Sequence, residues 1–218
     1  GTAGSGLEGA EEEEEAAETC VAALFSKGML TDGEAKLSLQ LTSERTGRAC
    51  GKSFGGLVDE IWRLSLGPSG DWNNREWNED GDVELGFNSN VLKCAVQTFG
   101  LVRPRSRGSE EDGEIPEEKA IKGDFSKLAG LLGGKKPMGA MLFPCCARGR
   151  SGLYRGKPHV EVRAARTALG MDVPVAGLFM GGELGPPAGK VWVIDGGSQE
   201  QPKSEHHGMS TVAFFFAK

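Results

Sequence analysis

The order of elements in residues 138–186 constrains this chain more than any other stretch. An apolar strand, MGAMLFP, runs into a Cys-Cys-Ala-Arg-Gly turn; a helix follows, then a second apolar run that ends in Gly-Glu-Leu-Gly-Pro. Strand, helix and strand in succession, each strand stopping at a glycine-rich turn that carries a charge, set up a site at the strand ends. The expected fold class is α/β to α+β, with mixed β-sheets and helices packed on them.

The turns also carry a family likeness. Phe143-Pro144-Cys145-Cys146-Ala147-Arg148-Gly149 resembles the hydrophobic-x-Cys-x-x-Arg-Gly turn of the FIST C-terminal domain. The run from Val175 through Gly181-Gly182-Glu183-Leu184-Gly185-Pro186 is similar to that domain's Gly-Phe-Phe-x-x-Gly-Glu-Ile-Gly-Pro segment. His207-Gly208-Met209-Ser210-Thr211 resembles its closing His-x-x-Thr strand. The resemblance covers residues 123–218. It implies a FIST-like α/β sensory or ligand-binding domain, of the kind found in bacterial signalling proteins and in eukaryotic F-box proteins, with a small, amino-acid-like ligand. A complete pair of FIST domains is substantially longer than this chain, and no F-box segment is recognisable in it.

The chemistry of these turns names the candidates. Cys145 sits beside Arg148 and Arg150, and nearby positive charge lowers a thiol pKa; a buried structural thiol is the alternative. Arg148, followed by Gly149, offers a planar fork to a ligand carboxylate. Glu183 can accept from a ligand ammonium or pair internally with Arg148. His207 with Ser210 or Thr211 can complete a polar pocket or cap the last strand. Cys145, Arg148, Gly149, Glu183, His207 and Ser210 are therefore the expected ligand-binding residues. Cys145, His207 and Glu183 have the residue types of a thiol hydrolase, but the resemblance does not imply hydrolysis, and a non-enzymatic domain is expected. Adjacent cysteines suit tetrahedral zinc poorly, so neither a metal nor a cofactor is expected.

Composition bounds the partners. Seven of the 31 acids fall before residue 19 with no base among them; the remainder, 24 acids against 25 bases, is formally +1. A near-neutral body argues against nucleic acid. No run approaches the ~20 apolar residues that span a bilayer. An odd count of five cysteines and no secretory signal point to reduced thiols in an intracellular setting, cytoplasmic or organellar. The 34 glycines follow no three-residue period, which excludes collagen. The chain begins at Gly1, as a fragment or a processed form does.

Four parts are expected. Residues 1–18 form an acidic low-complexity tail. Residues 19–102 form an N-terminal α/β part whose strand-turn-strand order is compatible with a remnant of the FIST N-terminal domain. Residues 103–122 are a charged linker, and residues 123–218 the FIST C-like domain. Within the second part, residues 20–25 and 36–42 read as strands, with the turn Thr31-Asp32-Gly33-Glu34 between them. Residues 45–53 end in Gly51-Lys52-Ser53 but lack the glycine a phosphate loop needs, since Thr46 occupies its place. Residues 54–66 have the apolar spacing of a helix, with Ser53 as its cap. Residues 83–87 read as a strand, and 91–102 as strand or helix. Asp124 is positioned to cap a helix through Leu132. Residues 190–194 and 210–216 read as strands and 196–207 as a polar loop. Trp72 and Trp77, in a polar stretch, suit either a partner contact or a satellite core. With the acidic tail they support a second function class, a degenerate FIST domain acting as an interaction subunit of a larger assembly. Substrate recognition for a ubiquitin ligase, with its F-box upstream, is the third.

Overall fold

The computed structural model describes residues 19–26, 53–58, 62–65, 74–77, 82–88, 91–100, 115–149, 152–195 and 204–218; before residue 91, side chains are considered only at 54–56. The elements in order are β1 (Thr19–Ser26), β2 (Ser53–Val58), β3 (Trp62–Ser65), β4 (Asn74–Trp77), β5 (Asp82–Asn88), β6 (Lys93–Phe99), α1 (Pro116–Gly130), β7 (Pro137–Pro144), α2 (Val160–Leu169), β8 (Val175–Gly177), β9 (Glu183–Gly185), β10 (Val191–Ile194), β11 (Glu205–His207) and β12 (Thr211–Ala217). This is an α+β fold.

A strand buried on both faces reads as a continuous apolar run, and β12, TVAFFFA, is such a strand. It lies in the middle of the sheet β10-β6-β12-β7-β8, antiparallel to β6 and to β7. Ala213, Phe215 and Ala217 face the helices, packing with Phe125 and Leu128 of α1 and with Ala164 and Ala165 of α2. Val212 and Phe214 face the other way. There Phe54 of β2 stacks on Phe214 with ring centroids 4.5 Å apart, and Trp192 and Met180 complete the cluster. Phe54 belongs to a second sheet, β11-β9-β2-β1-β5, so helices cover one face of the central sheet and strands approach the other. A hairpin, β3-β4, places Trp62 opposite Trp77.

Each sheet draws strands from both sides of residues 103–122. β6 joins the central sheet with β7, β8, β10 and β12, while β9 and β11 join β1, β2 and β5. Residues 116–122 of that charged stretch are the first half of α1.

Several expectations need correction. The described parts of the expected helix 54–66 are strands instead, residues 54–58 in β2 and 62–65 in β3. Two adjacent glycines, each costing a helix ~1 kcal/mol relative to alanine, weaken the helical alternative, and parallel pairing with β1 holds the segment as a strand. Gly56 is needed there, because a Cβ would stand 2.3 Å from the Gly182 carbonyl oxygen. Helix α1 starts at Pro116 rather than after Asp124. Proline suits the first helical position, whose N–H has no intrahelical partner, and Glu117 and Glu118 favour the first turn. The second apolar run divides: β8 ends at Gly177 in the central sheet, and Glu183 opens β9 in the other. The expected loop 196–207 ends in a strand, β11. Within residues 91–102, Lys93–Phe99 form the strand β6. The acidic tail, the turn at 31–34, the strand at 36–42, the loop at 45–52 and Trp72 lie outside the described residues. No helix among the described residues is long and apolar enough to cross a membrane.

Candidate functional site

The site grows from the unit β7-α2-β8, in which two parallel strands are joined through a helix. Such a connection puts the helix N-terminus at the carboxyl ends of the strands, where ligands of α/β sheets bind. After β7 the chain makes a 3-10 turn at Cys146–Arg148 that sends Arg148 inward, 3% exposed. Its Nε donates to Glu161 Oε1 at 2.8 Å, while its terminal nitrogens donate to the Tyr154 hydroxyl at 3.3 Å and the Gly100 carbonyl at 3.4 Å. Tyr154 donates to the same Glu161 oxygen at 2.5 Å, and Thr211 Oγ1 lies 2.9 Å from both carboxylate oxygens. Glu161, 6% exposed, therefore has partners on both oxygens, the condition under which a buried ion pair is tolerated. Burial works against the Arg148 charge, but Glu161 and Tyr154 outweigh it and hold the guanidinium above its ordinary range. Burial, then the Glu161 charge, pushes the Tyr154 phenol up, so it stays a donor.

A second polar cluster sits on the other side of β12. Neighbouring strand residues point to opposite faces; Thr211 reaches Glu161, whereas Ser210 reaches Glu183. Glu183 is fully buried, and its Oε2 accepts from the Ser210 amide at 3.2 Å and hydroxyl at 2.9 Å. Oε1 has no oxygen or nitrogen partner among the described residues. Burial drives this carboxyl up, against the opposing pull of Ser210, Cys145 and the Arg148 charge. The Cys145 thiol, beside the same carboxylate, is also pushed up, by burial first and then by Glu183. Expecting positive charge to activate Cys145 was therefore mistaken in its physics: the Arg148 charge is engaged by Glu161, and burial dominates at the thiol.

Arg148 and Glu183 are not each other's partners. His207 lies opposite Glu183 in the β11-β9 register, and its Nε2 is 2.9 Å from the Pro186 carbonyl oxygen. Its ring bond thus goes to a backbone group rather than to Cys145, and Cys145, Glu183 and His207 form no described proton relay. No group of three or more His, Cys, Asp or Glu among the described residues is placed to hold a metal ion.

Between α2 and β8 opens a cavity of about 650 Å³. One wall is β8 and its continuation to Phe179; the other is residues 157–162; buried Leu142, Pro144 and Arg148 line it more deeply. Of the residues singled out by sequence, Arg148 and Gly149 line this cavity, while Cys145, Glu183, His207 and Ser210 do not. Tyr154 and Glu161, which do, were missed. Glu161 has the signature of a solvated first-turn acid, and Tyr154 is notable in the sequence only as its one tyrosine.

Compared with known proteins, the sequence matches no family model and no curated protein.

Proposed function

We propose that this chain is a non-enzymatic, FIST-like ligand-binding domain whose site is the cavity between α2 and β8. One observation carries the reading: the cavity opens where the two segments that resemble the FIST C-terminal domain, residues 143–149 and 175–186, come together at the strand ends. Its walls are mainly apolar, with the Arg148–Glu161 pair at depth and Lys157 and His159 at the rim. That combination suits a small ligand with an apolar body in the cavity and a carboxylate at the Lys157 rim, such as an N-acylated apolar amino acid. Arg148 and Gly149 shape the cavity in this reading. Cys145, Glu183, Ser210 and His207 hold the adjoining turns.

Thermal denaturation against a panel of N-acetyl amino acids tests it. A ligand at a hundred times its Kd stabilises the folded state by ~2.7 kcal/mol, and replacing exposed Ala176 on the cavity wall with tryptophan should abolish that gain without lowering the unliganded midpoint. A panel without any stabilising member, together with native mass spectra free of bound small molecules, would refute the proposal.

A further inference from the structure

The wall formed by β8 has a property that a small molecule would leave unused. Among the described residues β8 is the last strand of the central sheet, with β7 as its neighbour on one side and no strand on the other. Pro174 accepts from the Ala140 amide, Leu178 donates to the Leu142 carbonyl, and Met180 donates to the Pro144 carbonyl. The even-numbered residues thus spend their backbone groups on β7. By the alternation of a strand, Val175, Gly177 and Phe179 turn theirs to the open edge. Open edges are ordinarily short, charged or covered. This one is short, three residues with a continuation to Phe179, but it carries no charged residue from Val173 to Gly182 and leaves Leu178 50% and Phe179 60% exposed beside the cavity.

The opposite wall supplies a charge. Lys157 belongs to a cluster in which Glu118 meets Lys122, Lys157 and Arg163, Glu117 meets Arg155, and Glu161 meets Arg148, five bases and three acids among the described residues. The first turn of α2 adds its amides, since His159 at the N-cap makes no side-chain capping bond. Among the described residues, this end carries more bases than acids. It also has a defined position along β8. Residues 170–174 return α2 directly to the start of β8, so the other end of the helix lies level with the far end of that strand, towards Phe179.

We infer that the cavity takes the carboxyl-terminal end of an extended apolar peptide, added to the open edge as a strand parallel to β8. The inference rests on the cavity being a ligand site and specifies its occupant. With the carboxylate at the Lys157–His159 end, the peptide must run in the direction of β8. Its backbone pairs with Val175, Gly177 and Phe179, and alternate side chains enter the cavity beside Val175 and Phe179. Strand addition supplies affinity through main-chain bonds and specificity through the pockets for alternate side chains. At ~3.3 Å per residue, about five residues of peptide span the wall.

The test uses the protein unaltered. Fluorescein-labelled peptides of about six residues, alternating threonine with valine, leucine or phenylalanine, are titrated by anisotropy as free acids and as C-terminal amides. They are also tested with backbone N-methyl groups on either alternate set of residues. The free acids should bind about tenfold or more tightly than the amides. N-methylation of one set should abolish binding, and of the other set leave it intact. Equal binding by acid and amide, indifference to N-methylation, or no saturation by any free acid up to about 1 mM would overturn the proposal. N-acetylvaline competing as well as the best peptide would also overturn it while leaving the small-ligand reading standing. If neither peptides nor N-acetyl amino acids bind, both readings fall.

Discussion

Replacing Arg148 with methionine should cost the fold about 3 kcal/mol, the lower part of the ~3–5 kcal/mol range for removing one partner of a buried ion pair. The lower part applies because Glu161 would retain two donors, Tyr154 and Thr211. Replacing Glu161 with glutamine should cost more, about 4–5 kcal/mol. It strands a guanidinium that is 3% exposed with only neutral oxygens, those of Tyr154 and Gly100, among its original partners. In a chain of this size each kcal/mol moves the thermal midpoint by ~2–4 °C, so even the milder variant should melt at least about 6 °C lower. Removing both charges together should cost about 2 kcal/mol less than the sum of the single changes, since contacting partners couple by ~0.5–3 kcal/mol. Urea unfolding followed by tryptophan fluorescence can measure all four proteins, because Trp192 is fully buried in the core. Single variants each losing under about 1 kcal/mol, or a double variant that loses the full sum, would refute the premise that these side chains form one desolvated pair.

Glu183 makes stability depend on pH in a definite direction. Its folded-state carboxyl titrates above the ordinary range, so the stability gained by keeping it neutral is full below the unfolded pKa of ~4.3 and is lost as pH rises through the raised folded value. Glu183→Gln keeps the group neutral and should gain on the wild type as pH climbs from about 4 to 8; parallel stability curves would exclude the raised carboxyl. Brief iodoacetamide treatment with peptide mapping should label exposed Cys146 well before Cys145 or Cys94, which are buried. Burial pushes the Cys94 thiol up to about 12 and raises that of Cys145 as well. Equal labelling of Cys145 and Cys146 would contradict the inward orientation of the Cys145 thiol.

The elements most legible in the sequence were those whose pattern reports their own burial. β12 and β7 are apolar runs because central strands meet neighbours on both faces, and α2 shows an apolar stripe because it has one. Residues 54–58 illustrate the converse. Their apolar spacing fits a helix, but the close approach of β9 at Gly56 and the pairing with β1 are long-range facts that no local period encodes. The start of α1 was hidden for a related reason. Glu117 and Glu118 look like solvated loop residues, yet both are buried and are neutralised by Arg155, Lys157 and Arg163 from a distant segment. At the site, the turn that carries Arg148 was readable, but not the acid it would choose. Glu161 lies across a further turn, and spacing alone does not distinguish it from Glu183.

The middle position in the central sheet belongs to residues 211–217, flanked by strands that come more than a hundred residues earlier (β6) and some seventy earlier (β7). During synthesis, β6 and β7 emerge long before the segment that must fit between them. Until it arrives each exposes an unmatched edge, and the hollow beside α2 lacks the threonine that steadies its glutamate. A nascent chain halted before residue 211 should accordingly be sticky, and only the completion of folding would brace the hollow.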